Sequence, residues 1–328
     1  MKPSVDRLTL DVYLNDDGVL STMAEDVRRG VTASPKTLPS KYFYDAPGSE
    51  LFEQITELPE YYQTRTEFAI LQSIADELVT EFEFGSLLEL GSGSATKTRT
   101  LLDAMERHGL LREYAPMDVS EQMLRESSER LLAQYPSLRI HGIVGDFQVH
   151  LLLIPPSSQP RLTIFLGGTI GNLDVAERQA FLSQTRDLLG EGDALLIGVD
   201  LVKDPAVLEA AYNDSAGVTA EFNRNILRAV NAALGADFVP EAYRHHAPYN
   251  RELQRIEMHL IPEEPQRVRV SAIDLAVDVE PSESIRTEIS CKFTEETVTS
   301  MLASAGFRLR HWYTDGENRF ALALAVPD

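Results

Sequence analysis

The spacing of apolar residues changes several times along this chain, and each change predicts a different element. Residues 66–77 repeat them at helical spacing (Phe68, Leu71, Ile74 and, just beyond, Leu78). Residues 49–56 carry a shorter stretch of the same kind, and Leu58-Pro59-Glu60-Tyr61-Tyr62 forms the connection. Upstream lie a helical run near residues 24–29, the stretch Lys36-Thr37-Leu38-Pro39-Ser40 and the aromatic Tyr42-Phe43-Tyr44-Asp45, with no strand-helix repeat. From residue 87 that repeat begins. Strands are predicted at 87–90, 114–118, 138–144, 162–166 and 194–199, with helices at 98–107, 120–135 and 174–189 between them. Ser120 suits the N-cap of the second of these helices, and Asp174 with Glu177 has capping-box spacing. The alternation predicts an α/β fold built on a doubly wound parallel sheet.

After Asp200 the order changes. Helical segments at 206–212 and 218–234 precede strand-like runs at 254–261, 267–279 and 286–293, which does not continue a parallel sheet. A helix at 295–305 and a terminal hairpin, 307–313 and 320–326 around Asp315-Gly316-Glu317-Asn318, then complete the repeat. Seven strands ending this way resemble the Rossmann-like class I methyltransferase fold. The expected division is a cofactor domain of residues 64–200 and 294–328, and an α+β substrate lobe of residues 1–63 and 201–293.

The formal charge of −21 over 328 residues, without a basic stripe, excludes a phosphate backbone as partner. The opening Met1-Lys2-Pro3-Ser4-Val5-Asp6 lacks an apolar signal core, and no stretch is apolar for long enough to span a bilayer. The lone Cys291 allows neither an internal disulfide nor a cysteine-rich zinc site. The seven histidines show no metal-binding spacing, and His245-His246 falls in an expected loop. A cytoplasmic, monomeric enzyme with a small-molecule substrate and no metal, nucleic-acid or membrane partner is expected.

The sharpest local motif is Glu89-Leu90-Gly91-Ser92-Gly93-Ser94-Ala95-Thr96, between the first strand of the repeat and its helix. Gly91 and Gly93 let backbone approach a ligand, although a tight turn alone would also use them. A dinucleotide site would want a third glycine where Thr96 stands. S-adenosylmethionine has no phosphate and suits a different set. The resemblance to methyltransferases implies that Asp118, at the end of the second strand, takes the ribose hydroxyls, with Glu89 at the end of the first strand, while Asp146 and Phe147 after the third suit the adenine amine and ring. Each of these residues could singly be an ordinary strand-end acid or core aromatic.

Lys41-Tyr42-Phe43-Tyr44-Asp45, Leu58-Pro59-Glu60-Tyr61-Tyr62, Gly167-Gly168-Thr169-Ile170-Gly171-Asn172, Asp200-Leu201-Val202-Lys203-Asp204, Phe222-Asn223-Arg224-Asn225, Arg255-Ile256-Glu257-Met258 and Glu288-Ile289-Ser290-Cys291-Lys292-Phe293 lie in both expected parts. Together they resemble the histidine Nα-methyltransferase family, from about residue 25 to the C-terminus. The resemblance implies three methyl transfers from S-adenosylmethionine to the α-amino nitrogen of L-histidine, giving hercynine in the first step of ergothioneine biosynthesis. It implies that Asn172 and Tyr212 hold the carboxylate and that Glu288 and Ser290 read the imidazole. It also implies Tyr61 and Met258 as pocket walls, Tyr44 near the amine and cofactor, Lys97 near the cofactor, and Phe52, Gly167, Thr169 and Thr219 as lining. Strand periodicity independently turns Glu288 and Ser290 to one face, away from Ile289. Without the resemblance, that pair also reads as a solvent-facing pair on an edge strand, Asn172 as a turn residue, and Tyr61, Tyr212 and Met258 as packing. A different amino acid or small amine as substrate, and a binding protein without catalysis, are the competing readings. A nicotinamide oxidoreductase is disfavoured by the missing third glycine.

Overall fold

The computed structural model describes residues 7–14, 16–93 and 95–328, so Met1–Asp6, Asn15 and Ser94 of the glycine turn lie outside the described residues. In chain order the elements begin with β1 (Leu8–Val12), α1 (Asp16–Thr32), β2 (Lys36–Thr37), α2 (Ala46–Thr56) and α3 (Gln63–Phe82). The repeat follows as β3 (Ser86–Leu90), α4 (Arg99–Arg107), β4 (Glu113–Asp118), α5 (Glu121–Gln134), β5 (Arg139–Val144), α6 (Phe147–His150), β6 (Arg161–Phe165), α7 (Val175–Leu188) and β7 (Ala194–Asp200). Then come α8 (Pro205–Tyr212), α9 (Val218–Leu234), β8 (Tyr243–His246), β9 (Tyr249–Asn250), β10 (Arg255–Pro262), β11 (Gln266–Val270), β12 (Leu275–Val279) and β13 (Ile285–Cys291). The chain closes with α10 (Glu295–Ser304), β14 (Phe307–Thr314) and β15 (Phe320–Pro327).

The chain divides into two compact units, one with residues 65–201 and 293–328 and the described residues up to 14, the other with residues 16–64 and 202–292. The first is built on an eight-stranded sheet in the order β1-β5-β4-β3-β6-β7-β15-β14. β1 and β3 to β7 pair in parallel, and β15 and β14 close the sheet antiparallel. Without β1, this is the seven-stranded class I methyltransferase arrangement. β3, β6 and β7 are buried along their whole length, as strands covered on both faces must be. Helix α4 buries Leu101, Leu102, Ala104 and Met105 and contributes to the sheet core. Ser120 caps α5 and the Asp174–Glu177 capping box starts α7, both at the expected positions.

The strand order reverses between β3 and β6, so the loops that leave these two strands flank the switch point where open α/β sheets bind ligands. One departure from expectation is β1. Residues 8–12 pair with residues 140–144 at the sheet edge, where the sequence reading put the first 63 residues in the other lobe. Arg7 anchors this edge by donating to the carbonyls of Leu132, Tyr135, Pro136 and Leu138, groups at and beyond the end of α5 that lack helical partners.

The second unit has a sheet in the order β2-β13-β10-β8, with β9 also on β10. Its core joins Phe222, Ile226 and Val230 of α9 to Ile256, Met258 and Leu260 of β10. The run 267–279, read from sequence as one strand, is a hairpin: the chain turns at Ser271–Ile273 and Asp274 takes a left-handed conformation (φ 46°). His245, expected in a loop, is buried on β8.

Candidate active site

Two sets of predicted residues assemble, one in each unit. In the first unit, Gly91 (φ 73°) and Gly93 (φ 48°) turn the chain after β3 with left-handed conformations that favour glycine. A Cβ on Gly91 would meet nothing within 4 Å, so the loop has open space on that side. Asp118, at the end of β4, is tied to the turn: one carboxylate oxygen accepts from the Gly93 N–H at 2.9 Å, the other from Ser120 N–H at 3.0 Å. Burial raises its pKa, against the lowering effect of these backbone donors. Asp146 caps α6 by accepting from Gln148 N–H at 2.9 Å, and the Phe147 ring is edge-on to Phe165 and Phe181. The buried Ser92 hydroxyl has no hydrogen-bond partner among the described residues.

These features fit S-adenosylmethionine. The open glycine turn leaves room for a ligand, Ser92 has an unused hydroxyl, and Asp118 keeps acceptor capacity beyond its two backbone donors. Glu89 stands at the end of β3, just before the glycine turn. Its carboxylate is buried and accepts from the Thr98 hydroxyl at 2.6 Å and from the Tyr114 hydroxyl. Both oxygens are thus engaged by protein. Burial lifts its pKa from 4.5 to about 7, opposed by those two hydrogen bonds and by Lys97. Because the folded-state value is raised, the folded form holds this proton better than the unfolded chain does. The resulting stability is complete below about pH 4.5 and is lost as pH rises through about 7. Glu89→Gln should therefore gain thermal stability relative to the native protein between about pH 5 and about pH 8. Calorimetry at the two values checks this, and a relative loss at the higher pH would contradict it.

Glu67, on α3, was not singled out in the sequence. It is fully buried, accepts from Gly167 N–H at 2.7 Å and pairs with the Lys97 ammonium. One carboxylate thereby ties the loop after β6 to the loop after β3. Gly167 and Gly168 both have positive φ (77° and 68°), and the following turn carries Thr169, whose hydroxyl donates to Leu166 O at 2.9 Å, and Asn172. Gly198 on β7 leaves room for this brace, since a Cβ there would lie 2.1 Å from Glu67 Oε1. Gly198→Ala should displace Glu67 and cost about 2 kcal/mol of stability, readable in urea unfolding. A native unfolding midpoint would show that the brace is dispensable.

In the second unit, rings form a continuous cluster. Tyr44 packs edge-on to Phe52 (5.5 Å) and Phe222 (5.7 Å), Phe52 meets Tyr61 (6.2 Å), and Tyr61 meets Tyr212 (6.4 Å). The Tyr44 side chain keeps 47 % exposure, yet its phenol is held well above the ordinary range, by desolvation first and then by Glu288 and Tyr212. It therefore stays protonated at neutral pH. Register sets Met258 opposite Glu288, and Ile256 opposite Ser290. The Tyr212 hydroxyl lies 2.7 Å from Ser290 Oγ, and the buried Lys292 ammonium donates to Ser290 at 2.8 Å and to Tyr212 at 3.2 Å.

Behind Tyr212 runs a second chain of bonds. Thr287 donates to Asn223 Oδ1 at 2.6 Å, and Asn223 Nδ2 donates to His245 Nδ1 at 2.8 Å. His245 Nε2–H then donates to Tyr212 O at 2.8 Å. These roles require neutral His245, in keeping with a pKa lowered chiefly by burial. Thr219 sits in the first turn of α9, its N–H donating to Asp214 at 2.8 Å. His245 and Lys292 went unselected in the sequence, although strand periodicity puts Lys292 on the face of Glu288 and Ser290. No group of three or more potential metal ligands occurs among the described residues.

Comparison with known proteins covers both units. The model of the family "Histidine-specific methyltransferase, SAM-dependent" matches residues 23–327. The histidine N-alpha-methyltransferase of Mycolicibacterium smegmatis is 50 % identical over 319 residues, which are 97 % of this chain and 99 % of that protein. That of Mycobacterium tuberculosis is 44 % identical, covering 98 % and 99 %. Ergothioneine biosynthesis protein 1 of Neurospora crassa is 33 % identical over 88 % of this chain, a match confined to 33 % of that longer protein. With the switch-point loops, the strand order and the match through both units in hand, the chain belongs to the histidine-specific, S-adenosylmethionine-dependent methyltransferase family.

Proposed function

We propose that this protein methylates the α-amino nitrogen of L-histidine three times, giving hercynine as the first step of ergothioneine biosynthesis. The observation that carries the reading is the 50 % identity to a histidine N-alpha-methyltransferase over nearly the full length of both chains. S-adenosylmethionine supplies an electrophilic methyl group on a sulfonium sulfur. The reading assigns its ribose to Asp118, its adenine to Asp146 and Phe147, and its approach to Gly91, Gly93 and Lys97. Glu89, held by the Thr98 and Tyr114 hydroxyls, is assigned to the cofactor as well.

For the substrate, Asn172 and Tyr212 take the carboxylate, and Glu288 and Ser290 take the ring nitrogens. Tyr61, Met258, Phe52, Thr219, Gly167 and Thr169 line the pocket. Anchored at both ends, the substrate offers its amine lone pair for in-line displacement, which needs an approach of roughly 3 to 3.5 Å to the methyl carbon. Each transfer requires a neutral amine and leaves a cationic one, so a proton departs before the next. Tyr44 is the hydroxyl assigned beside the amine, as a hydrogen-bonding group and not a phenolate, because its pKa is raised. The quaternary product has no lone pair, and transfer stops.

In this reading the enzyme works as a monomer in the cytosol. Histamine, which lacks the carboxylate, and phenylalanine, which lacks ring nitrogens, test both anchors by mass spectrometry. Neither should be trimethylated under conditions that convert L-histidine fully. Efficient turnover of either one would remove the corresponding anchor.

A further inference from the structure

We propose that Glu67 is a positioning residue for both ligands, one carboxylate oxygen setting the cofactor loop and the other the loop that leads to Asn172. Its place on α3 is unusual for an acid. Glu67 precedes Ile70, Leu71 and Ile74 at helical spacing, on the stripe that packs into the core of the first unit. It is fully buried. A leucine or methionine would fill that position at less cost, because a carboxylate taken out of water is stable only with an opposite charge and hydrogen bonds around it.

Its two oxygens find these partners in different loops. Oε1 accepts from the Gly167 N–H at 2.7 Å, in the loop that leaves β6 and continues through Thr169 to Asn172. Oε2 takes the Lys97 ammonium, from the loop between β3 and α4. β3 and β6 are parallel neighbours at the switch point, so both loops leave the same edge of the sheet. The Lys97 side chain keeps 25 % exposure and so links the buried acid to the open side of its loop, with ammonium hydrogens beyond the one given to Glu67. Gly167 is left-handed (φ 77°) and has no side chain to hold it there, so its bond to Glu67 supplies the constraint. One planar carboxylate thus fixes where the two loops begin.

The inference rests on the proposed function, which puts Lys97 at the cofactor and Asn172 at the histidine carboxylate. The test compares Glu67→Gln with Glu67→Ala. Melting temperature, S-adenosylmethionine Kd, histidine KM at saturating cofactor and kcat are measured for the full chain. The glutamine oxygen can still accept from Gly167, while its amide hydrogens face the Lys97 ammonium donor to donor and drive it from its place. Cofactor Kd should rise about tenfold in this variant, with histidine KM within about threefold of native. Alanine frees both loops, and should raise histidine KM by about tenfold as well. Lys97→Met should also cost less cofactor affinity in the Glu67→Gln background than in the native protein.

A native cofactor Kd in the glutamine variant, or equal losses of the two ligands there, would overturn the inference. So would additive losses from Glu67 and Lys97, or a native histidine KM in a folded alanine variant. Should the alanine variant fail to fold, the glutamine variant and the Lys97→Met comparison decide. Cofactor Kd is read without histidine, so the two ideas fail separately. A native protein that binds S-adenosylmethionine but transfers nothing to histidine overturns the proposed function, and with it the Asn172 half of this inference. If the native protein does methylate histidine and the Glu67 variants match it, the inference alone falls.

Discussion

Glu288→Ala should raise the histidine KM by roughly a hundredfold while cofactor Kd stays close to native. A charged acceptor for a ring N–H contributes about 1.5 to 3 kcal/mol, and its loss leaves the ring donor unpaired. The structure adds a reason to expect a clean result. Glu288 stands opposite Met258 in the β10–β13 register, on a strand flanked by β10 and β2, so truncation leaves the sheet pairing intact. Glu288 is also one of the groups that raise the Tyr44 pKa, so the variant should lower that pKa somewhat. Steady-state kinetics with calorimetric titration of the cofactor separates the effects. An equal collapse of cofactor affinity would mean that Glu288 serves the whole fold and not the ring.

Asp118→Ala should give the reciprocal result, weakening S-adenosylmethionine by about a hundredfold with a much smaller change in histidine KM at saturating cofactor. Two losses combine here. The ribose acceptor disappears, and the Gly93 and Ser120 N–H groups lose the carboxylate that fixes the glycine turn. Asp118→Asn separates them, because an amide oxygen can still accept one backbone bond but brings no charge. Native cofactor affinity in the alanine variant would rule out Asp118 as the ribose ligand.

The sheet was legible because buried parallel strands appear as short, nearly continuous apolar runs, and β3, β6 and β7 have that character. The glycine turn was legible because open strand-to-helix turns need positive φ at Gly91 and Gly93. What escaped was decided by long-range pairing. β1 has the alternation Leu8, Leu10, Val12, but five residues cannot announce that they will pair with residues 140–144. Glu67 looks like a polar position on an amphipathic helix until Gly167, a hundred positions on, is brought to its carboxylate.

His245 and Lys292 illustrate a related limit. Polar side chains default to solvent in any reading of hydropathy, and only the fold reveals that partners wait for them inside. Glu89 shows the limit from the other side. Its position at a strand end suggests a ligand-facing acid, and only the fold reveals that Thr98 and Tyr114 also donate to its oxygens. Pattern identifies which residue types stand near a site. Which way a carboxylate turns depends on donors that only the folded chain supplies.

The most direct measurement is mass spectrometry of the purified protein incubated with S-adenosylmethionine and each common amino acid in turn. The account predicts successive mono-, di- and trimethylation of L-histidine alone, ending at the quaternary amine. Trimethylation of a different amino acid, or bound cofactor with no transfer to histidine, would contradict it.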